Sequence, residues 1–194
     1  NEQSHQDPTL SEALLGEMAD VARVVFPPDG NSAIVALTHS ILALGTITAL
    51  VVPKREMPNR LTPMQARQLI ADGVLLLQGM PDSAAVILAA TGSYQLGEVL
   101  RAHQCLGAAG IAAAVVYIGE PGRLRAGRDA REAAYVLPDE VLSSHFPAGV
   151  PRVFLSHTRP EPYLGALRRI DTGPATTRAL GFVNQGGTLD VAGL

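Results

Sequence analysis

An imidazole, an amide, a hydroxyl and a carboxylate stand side by side in Ser4-His5-Gln6-Asp7-Pro8, directly ahead of a stretch with helical spacing. The proline stiffens the exit of this loop, and such a loop can aim side chains into a cleft for hydrogen bonding or proton transfer. A bland polar tail has the same composition, so the residues alone leave both readings open. Lys54 is the second candidate. Of the 15 basic side chains, 14 are arginine and only this one is lysine. It follows the β-rich run Thr46–Val52, and ligands of parallel sheets gather beyond the carboxyl ends of the strands. Its ammonium is a compact point charge suited to a phosphate, and a merely solvated cation is the alternative.

Other groups read as structural. Thr91-Gly92-Ser93 falls where a strand hands over to a helix, a place where free amides and the helix dipole attract anions. Glu98-Val99, however, stands where a phosphate loop needs Lys and a hydroxyl residue. A cap and tight turn is therefore expected there, with a small-anion site as the alternative. His145 and His157 are far apart and lack acidic or Cys partners for a metal, so both are expected to be satisfied within the fold. Ser156-His157 ends a strand, but no Gly-x-Ser-x-Gly elbow holds the serine. Cys105, near Leu100, Ala102 and Leu106, is expected to be buried filler.

These groups need elements to position them, and the chain alternates helix and strand almost throughout. Thr9 and Glu12 have capping-box spacing for a helix to about residue 20. A strand is expected over 22–26, a helix over 31–44 and a strand over 46–52, making one βαβ unit. No Asp, Glu, Lys or Arg occurs from Asn31 to Pro53, a span long enough to suggest a membrane helix. Its polar residues and the change of period at Gly45 predict helix, turn and buried strand instead. Thr62 and Pro63 start another helix as cap and first residue. Strands follow over 73–77 and 84–89, a helix over 93–109 and a strand over 111–118. Residues 120–131, rich in Gly and Arg, read as a loop, and 138–145 as a short helix. A strand over 152–156, a helix near 160–169 and a strand over 178–183 complete the chain. Continuous apolar runs such as residues 84–90 belong in a sheet covered on both faces. The expected fold is α/β, a mostly parallel sheet with helices on both faces, preceded by a βαβ remnant too small to bury its own faces.

Composition narrows the function. Hydrophobic residues at 47% and charged residues at 17% exclude a disordered polyelectrolyte. A net charge of −3 argues against nucleic acid as a partner. The single cysteine excludes a disulfide framework and makes a reducing cytoplasm the expected location. No charged n-region with an apolar h-region opens the chain, so secretion is not expected, and no membrane partner either. Asn1 in place of Met and an apolar last segment suggest a piece of a longer polypeptide.

Three segments resemble the thiamine-diphosphate-dependent phosphoketolases of the transketolase superfamily, in order and at matching separations. They are Ser-His-Gln-Asp-Pro at 4–8, Asp-Val-Ala-Arg-Val-Val-Phe-Pro-Pro-Asp-Gly-Asn at 20–31, and Val-Val-Pro-Lys-Arg-Glu-Met-Pro-Asn-Arg-Leu-Thr at 51–62. Further on, Ile-Leu-Ala-Ala-Thr-Gly-Ser at 87–93 resembles the strand-turn-helix of the transketolase carboxyl-terminal domain. The resemblance implies that residues 1–55 end a pyrimidine-binding domain and that 62–194 form most of the carboxyl-terminal domain. It further implies a homodimer or higher homo-oligomer that uses thiamine diphosphate and Mg²⁺ to cleave xylulose 5-phosphate with inorganic phosphate, giving acetyl phosphate. By the same resemblance His5 is a catalytic and substrate-binding group, Gln6 supports it, and Lys54 holds the sugar phosphate. The metal-diphosphate motif Gly-Asp-Gly…Asn is absent; Asp29-Gly30-Asn31 lacks its preceding Gly and later Asn. No cofactor is therefore expected on this piece alone, which should be inert. Thr9-Leu10, Pro53 and Phe182–Thr188 depart from the family's pattern. A divergent branch acting as a transketolase-like or other sugar-phosphate enzyme, or a non-catalytic dimerisation and docking domain, are the alternatives.

Overall fold

The computed structural model describes residues 7–183. Two sheets organise it. The smaller is a parallel pair, β1 (Ala22–Val25) and β2 (Ile47–Leu50), joined by α2 (Gly30–Leu42) and preceded by α1 (Thr9–Gly16). The expected βαβ unit is thus present, with its turn at Gly45, where φ is +78°, a region that glycine enters without steric cost. The helix begins with a capping box: the Asp29 carboxylate accepts from the Ser32 amide at 2.9 Å and the Ser32 hydroxyl accepts from the Asp29 amide at 3.1 Å.

The larger sheet has five strands: β3 (Val74–Gln78), β4 (Val86–Thr91), β5 (Ala113–Ile118), β6 (Arg152–Ser156) and β7 (Thr177–Leu180), in the order β3-β5-β4-β6-β7. All neighbours are parallel except β3, which runs antiparallel to β5 at one edge. Alternation along β4 and β5 sends side chains to two separate cores. Ile87, Ala89, Val116 and Ile118 pack with Leu142, Phe146 and Tyr163 under α6 (Asp139–His145) and α7 (Pro160–Ala166). Leu88, Ala90, Val115 and Tyr117 pack with Leu69, Leu96 and Val99 under α3 (Pro63–Asp72) and α4 (Ser93–Ala108). The covering of both faces explains why the strands are continuously apolar.

The start of α3 follows the expectation. Thr62 Oγ1 accepts from the Gln65 amide at 3.2 Å, Gln65 Oε1 accepts from the Thr62 amide at 3.0 Å, and Pro63 opens the helix. Replacing Thr62 with alanine removes this reciprocal pair and should cost about 1 kcal/mol in urea denaturation followed by circular dichroism. Thr62→Ser should recover most of that loss, because it keeps the hydroxyl.

Four local expectations need correction. The strand expected to be buried over 46–52 is β2, half-buried with Ile47 exposed, because a two-stranded sheet cannot cover both of its faces. No capping box forms at Thr9: Pro8 is the N-cap residue without a side-chain cap bond, and Glu12 reaches Arg159 instead of turning back to its own helix. A guanidinium offers Glu12 a charge-assisted bond stronger than a neutral amide can make. The segment 120–131 is not a plain loop: a single 3₁₀ turn at Pro121–Leu124 precedes α5 (Ala130–Tyr135). Cys105 is exposed rather than buried; it comes nine residues after the buried Leu96, about two and a half turns, and so faces away from the sheet. Among the described residues no helix is long and apolar enough to cross a membrane.

A two-stranded sheet has little to cover α2, and Ile34 (68%), Ile41 (71%) and Leu44 (93%) are left exposed along that helix and its exit. The opposite side is knit to the larger unit. Arg23, itself buried, donates twice to the buried Glu120 carboxylate, at 3.0 and 2.7 Å, and Phe26 N donates to Gly119 O at 2.8 Å.

Candidate functional site

From β4 the chain leaves through α4 to β5 on one side of the sheet, and the next parallel neighbour of β4, on its other side, is β6. Where connections from adjacent strands diverge in this way, a crevice opens beyond their carboxyl ends. Here the edge of that crevice carries Thr91-Gly92-Ser93 after β4 and His157-Thr158 after β6. The ends of the smaller sheet meet it: Ser93 Oγ donates to Pro27 O at 3.0 Å and Tyr117 Oη donates to Phe26 O at 2.7 Å.

These bonds decide what the Thr91-Gly92-Ser93 turn can do. The Thr91 hydroxyl donates to Ile118 O at 2.9 Å and pairs with Tyr163 Oη at 2.6 Å, and the Gly92 amide donates to Tyr117 Oη at 3.1 Å. The Thr91 hydroxyl and the Gly92 amide are thereby spent within the larger unit, and the Ser93 hydroxyl on joining it to the segment after β1. Gly92 has φ +113°, and a methyl group there would lie 2.3 Å from Gln95 Oε1. That oxygen, an acceptor over the start of α4, repels an anion. The tight turn is present as expected, with Gly92 at the N-cap position and no side-chain cap bond, and the geometry disfavours the small-anion alternative.

His5 and Gln6 lie outside the described residues. The end of their loop does not. Asp7 accepts the Thr9 amide on Oδ1 at 2.8 Å, together with the Thr9 hydroxyl, and Arg159 Nη2 donates to Oδ2 at 2.7 Å. Hydrogen bonding from Thr9 first, then from Arg159, lowers the Asp7 pKa to about 2. Arg159 also donates from its backbone amide to Glu12 Oε1 at 2.7 Å and from Nη1 to Oε2 at 2.6 Å. One arginine in the loop after β6 thus fixes both the exit of the 4–8 loop and the first turn of α1 to the larger sheet.

Lys54 is exposed in the segment after β2, and it makes no hydrogen bond or ion pair among the described residues. A hollow of about 310 Å³ lies beside this segment, walled by Pro27, Gly30, Val52, Pro53, Arg55 and Met57 among others. Asp29 also borders it, but its carboxylate already accepts from Ser32, Arg60 and Leu61 amides at 2.7–2.9 Å. Asp29 is therefore a brace for the 51–62 connection rather than a free acid.

The two histidines read as satisfied differ. His145 Nδ1 lies 2.8 Å from Val141 O, as expected of a satisfied ring. His157 has no hydrogen bond to either ring nitrogen among the described residues, contrary to expectation. Its signal in the sequence is its place at a strand's carboxyl end, beside a Ser156 that no serine elbow holds. No group of three or more His, Cys, Asp or Glu among the described residues converges on a point where a metal could sit. These residues do not fit a metal-diphosphate group, and no chemical step can be built through one from them.

Comparison with known proteins meets this geometry. The family model for D-xylulose 5-phosphate/D-fructose 6-phosphate phosphoketolase matches residues 1–43. The probable phosphoketolase 1 of Rhizobium meliloti is 29% identical over 107 residues, which are 53% of this chain and 14% of that protein. Transketolase from Leishmania mexicana superposes on 95% of the chain with a TM-score of 0.69 at 18% identity, using 23% of its own length. The first part of the chain is thus similar to the phosphoketolases, and its fold is that of the transketolases. A split-gene transketolase, solved as an inactive β4 tetramer, shares the fold as well, with a TM-score of 0.59 at 18% identity over 84% of this chain and 48% of that one. The five-stranded sheet of this chain, with helices on both faces, fits the transketolase carboxyl-terminal-domain fold. The match spans only 14% of the curated relative's length.

Proposed function

We propose that this chain is the sugar-phosphate-facing part of a phosphoketolase-like enzyme that cleaves ketose phosphates, xylulose 5-phosphate among them, with inorganic phosphate to give acetyl phosphate. The observation that supports this reading most is the anchoring of Asp7 by Arg159. It brings the exit of the 4–8 loop to the loop after β6, at the same sheet ends that the segment leading to Lys54 walls. Asp7 and Val52-Pro53, from two segments that resemble the phosphoketolase pattern, both lie beside the loop after β6, which supports this reading.

In this reading His5 hydrogen-bonds the substrate and moves a proton, Gln6 supports it, and the Lys54 ammonium holds the sugar's phosphate. Residues 1–55 end a pyrimidine-binding domain and 62–194 belong to the carboxyl-terminal domain. The cofactor of the reaction, thiamine diphosphate with Mg²⁺, acts as electron sink for the two-carbon unit, and other parts of the polypeptide bind it. We place the enzyme in the cytoplasm as a homodimer or larger homo-oligomer, and this chain alone is inert. The whole polypeptide, supplied with thiamine diphosphate, Mg²⁺, inorganic phosphate and xylulose 5-phosphate, should form acetyl phosphate, trapped as the hydroxamate. Absence of product removes the reaction, and absence of cofactor binding removes the family role.

The exposed stripe Ile34, Leu37, Ile41 and Leu44 favours a second reading, a non-catalytic docking or dimerisation unit. Size-exclusion chromatography with light scattering on the chain alone distinguishes it: a clean monomer counts against this alternative.

A further inference from the structure

His157 stands apart from its neighbours in the loop after β6. Ser156 and Thr158 pair through their hydroxyls at 2.8 Å, and Arg159 is held by two carboxylates. The imidazole alone has no such commitment. It is half-buried, tilted against Phe26 with ring centroids 6.1 Å apart. Burial pushes its pKa below the ordinary histidine value, against a smaller opposing effect of the Glu12 charge, so at neutral pH the ring offers one donor and one acceptor. Neither nitrogen is fully buried, so an incoming group can reach them.

The ring lines a small hollow of about 40 Å³ shared with Gly92, Gln95, Val52 and Pro53. Gln95 Oε1 is buried and has no hydrogen-bond partner, so two polar groups without partners belong to one hollow. It is small and opens to solvent, so a polar group of a bound molecule can enter it. A neutral donor-acceptor ring beside a carbonyl oxygen suits a hydroxyl, which gives and takes a hydrogen bond, and suits a phosphate dianion poorly. The other wall, Val52-Pro53, leads directly into Lys54 and also borders the larger hollow.

We propose that His157, with Gln95, is a specificity-determining contact for a hydroxyl of the ketose phosphate whose phosphate Lys54 holds. This inference rests on the function proposed above. In the whole polypeptide, His157→Ala should raise the KM for xylulose 5-phosphate about tenfold, the cost of one lost hydrogen bond at the upper end of the neutral range. The KM for inorganic phosphate, kcat and the thermal midpoint should stay near wild type, and His157→Gln, which keeps a donor and an acceptor, should recover part of the loss. An active wild type with an unchanged sugar KM in His157→Ala overturns the inference and leaves the proposed function standing. A fall in kcat and thermal midpoint without a KM change, not rescued by glutamine, also overturns it by showing a structural role. An inactive wild type removes the proposed function, and the inference with it.

Discussion

Glu132→Ala should destabilise the chain by about 3 kcal/mol, a value at the low end for breaking a buried ion pair because one partner is partly exposed. The carboxylate is fully buried, while the Arg128 side chain is 41% exposed. Glu132 Oε1 accepts from Ala19 N and Arg128 Nη2, each at 2.8 Å, and Oε2 accepts from Arg128 N at 2.8 Å and Nε at 2.9 Å. The arginines of this network carry the connection onward: Arg128 Nη1 donates to Gly16 O at 2.8 Å, and Arg125 Nη1 donates to Leu15 O at 2.9 Å and Glu17 O at 2.7 Å. Removing the carboxylate leaves a buried amide without an acceptor and two guanidinium groups with less to hold them. The free carbonyls at the end of α1 then lose well-placed donors. Urea denaturation should show the loss, and a midpoint within error of wild type would contradict the assignment.

The same group carries an acid dependence of known sign. Hydrogen bonding from Arg128, followed by the Ala19 and Arg128 amides, outweighs burial and lowers the Glu132 pKa to about 2 from its ordinary value of 4.5. A carboxyl whose folded pKa is depressed contributes its stability in full above the unfolded pKa and loses it as pH falls through the folded one. Wild-type stability should therefore decline between about pH 5 and pH 2, and Glu132→Gln should flatten that part of the profile. Asp7 contributes in the same direction, with its pKa also lowered to about 2. An identical acid profile in wild type and Glu132→Gln would place the titration elsewhere.

Lys54→Ala in the whole polypeptide should raise the KM for xylulose 5-phosphate about 10- to 100-fold, equivalent to about 1.5–3 kcal/mol for a lost charged hydrogen bond. Because the phosphate keeps its charge throughout the proposed reaction, the contact acts on ground and transition states alike, and kcat should change little. Lys54 is exposed and makes no internal contact among the described residues. Truncation should therefore leave the thermal midpoint unmoved, separating a binding role from a structural one. An unchanged KM would remove Lys54 from the site. The expected pattern differs from that for His157→Ala in size, since a charged partner is lost instead of a neutral one.

Much of the architecture follows from patterns that neighbouring residues settle among themselves. The cap at Thr62 with Pro63, the turn at Gly45 and the strand Arg152–Ser156 all depend on side chains within a few positions. Continuous apolar runs imply helices above and below the sheet without any knowledge of which helices. Lys54 and the 4–8 loop stood out by type, by rarity and by their place beside strand and helix ends.

Partner choice across the fold was decided by topology. Glu12 has a capping-box position, yet it binds Arg159, 147 residues away, because α1 lies against the loop after β6. No local pattern marks Glu132, which gains its role only because folding places the Ala19 amide against its carboxylate. His157 was read as a satisfied histidine, but the junction of the two sheets provides a ring contact from Phe26 and no hydrogen-bond partner among the described residues. Local propensities act over a few residues and can be read in order along the chain. Charged and polar pairing acts between whatever groups the sheet order brings within about 3 Å, and that proximity exists only once the chain has folded.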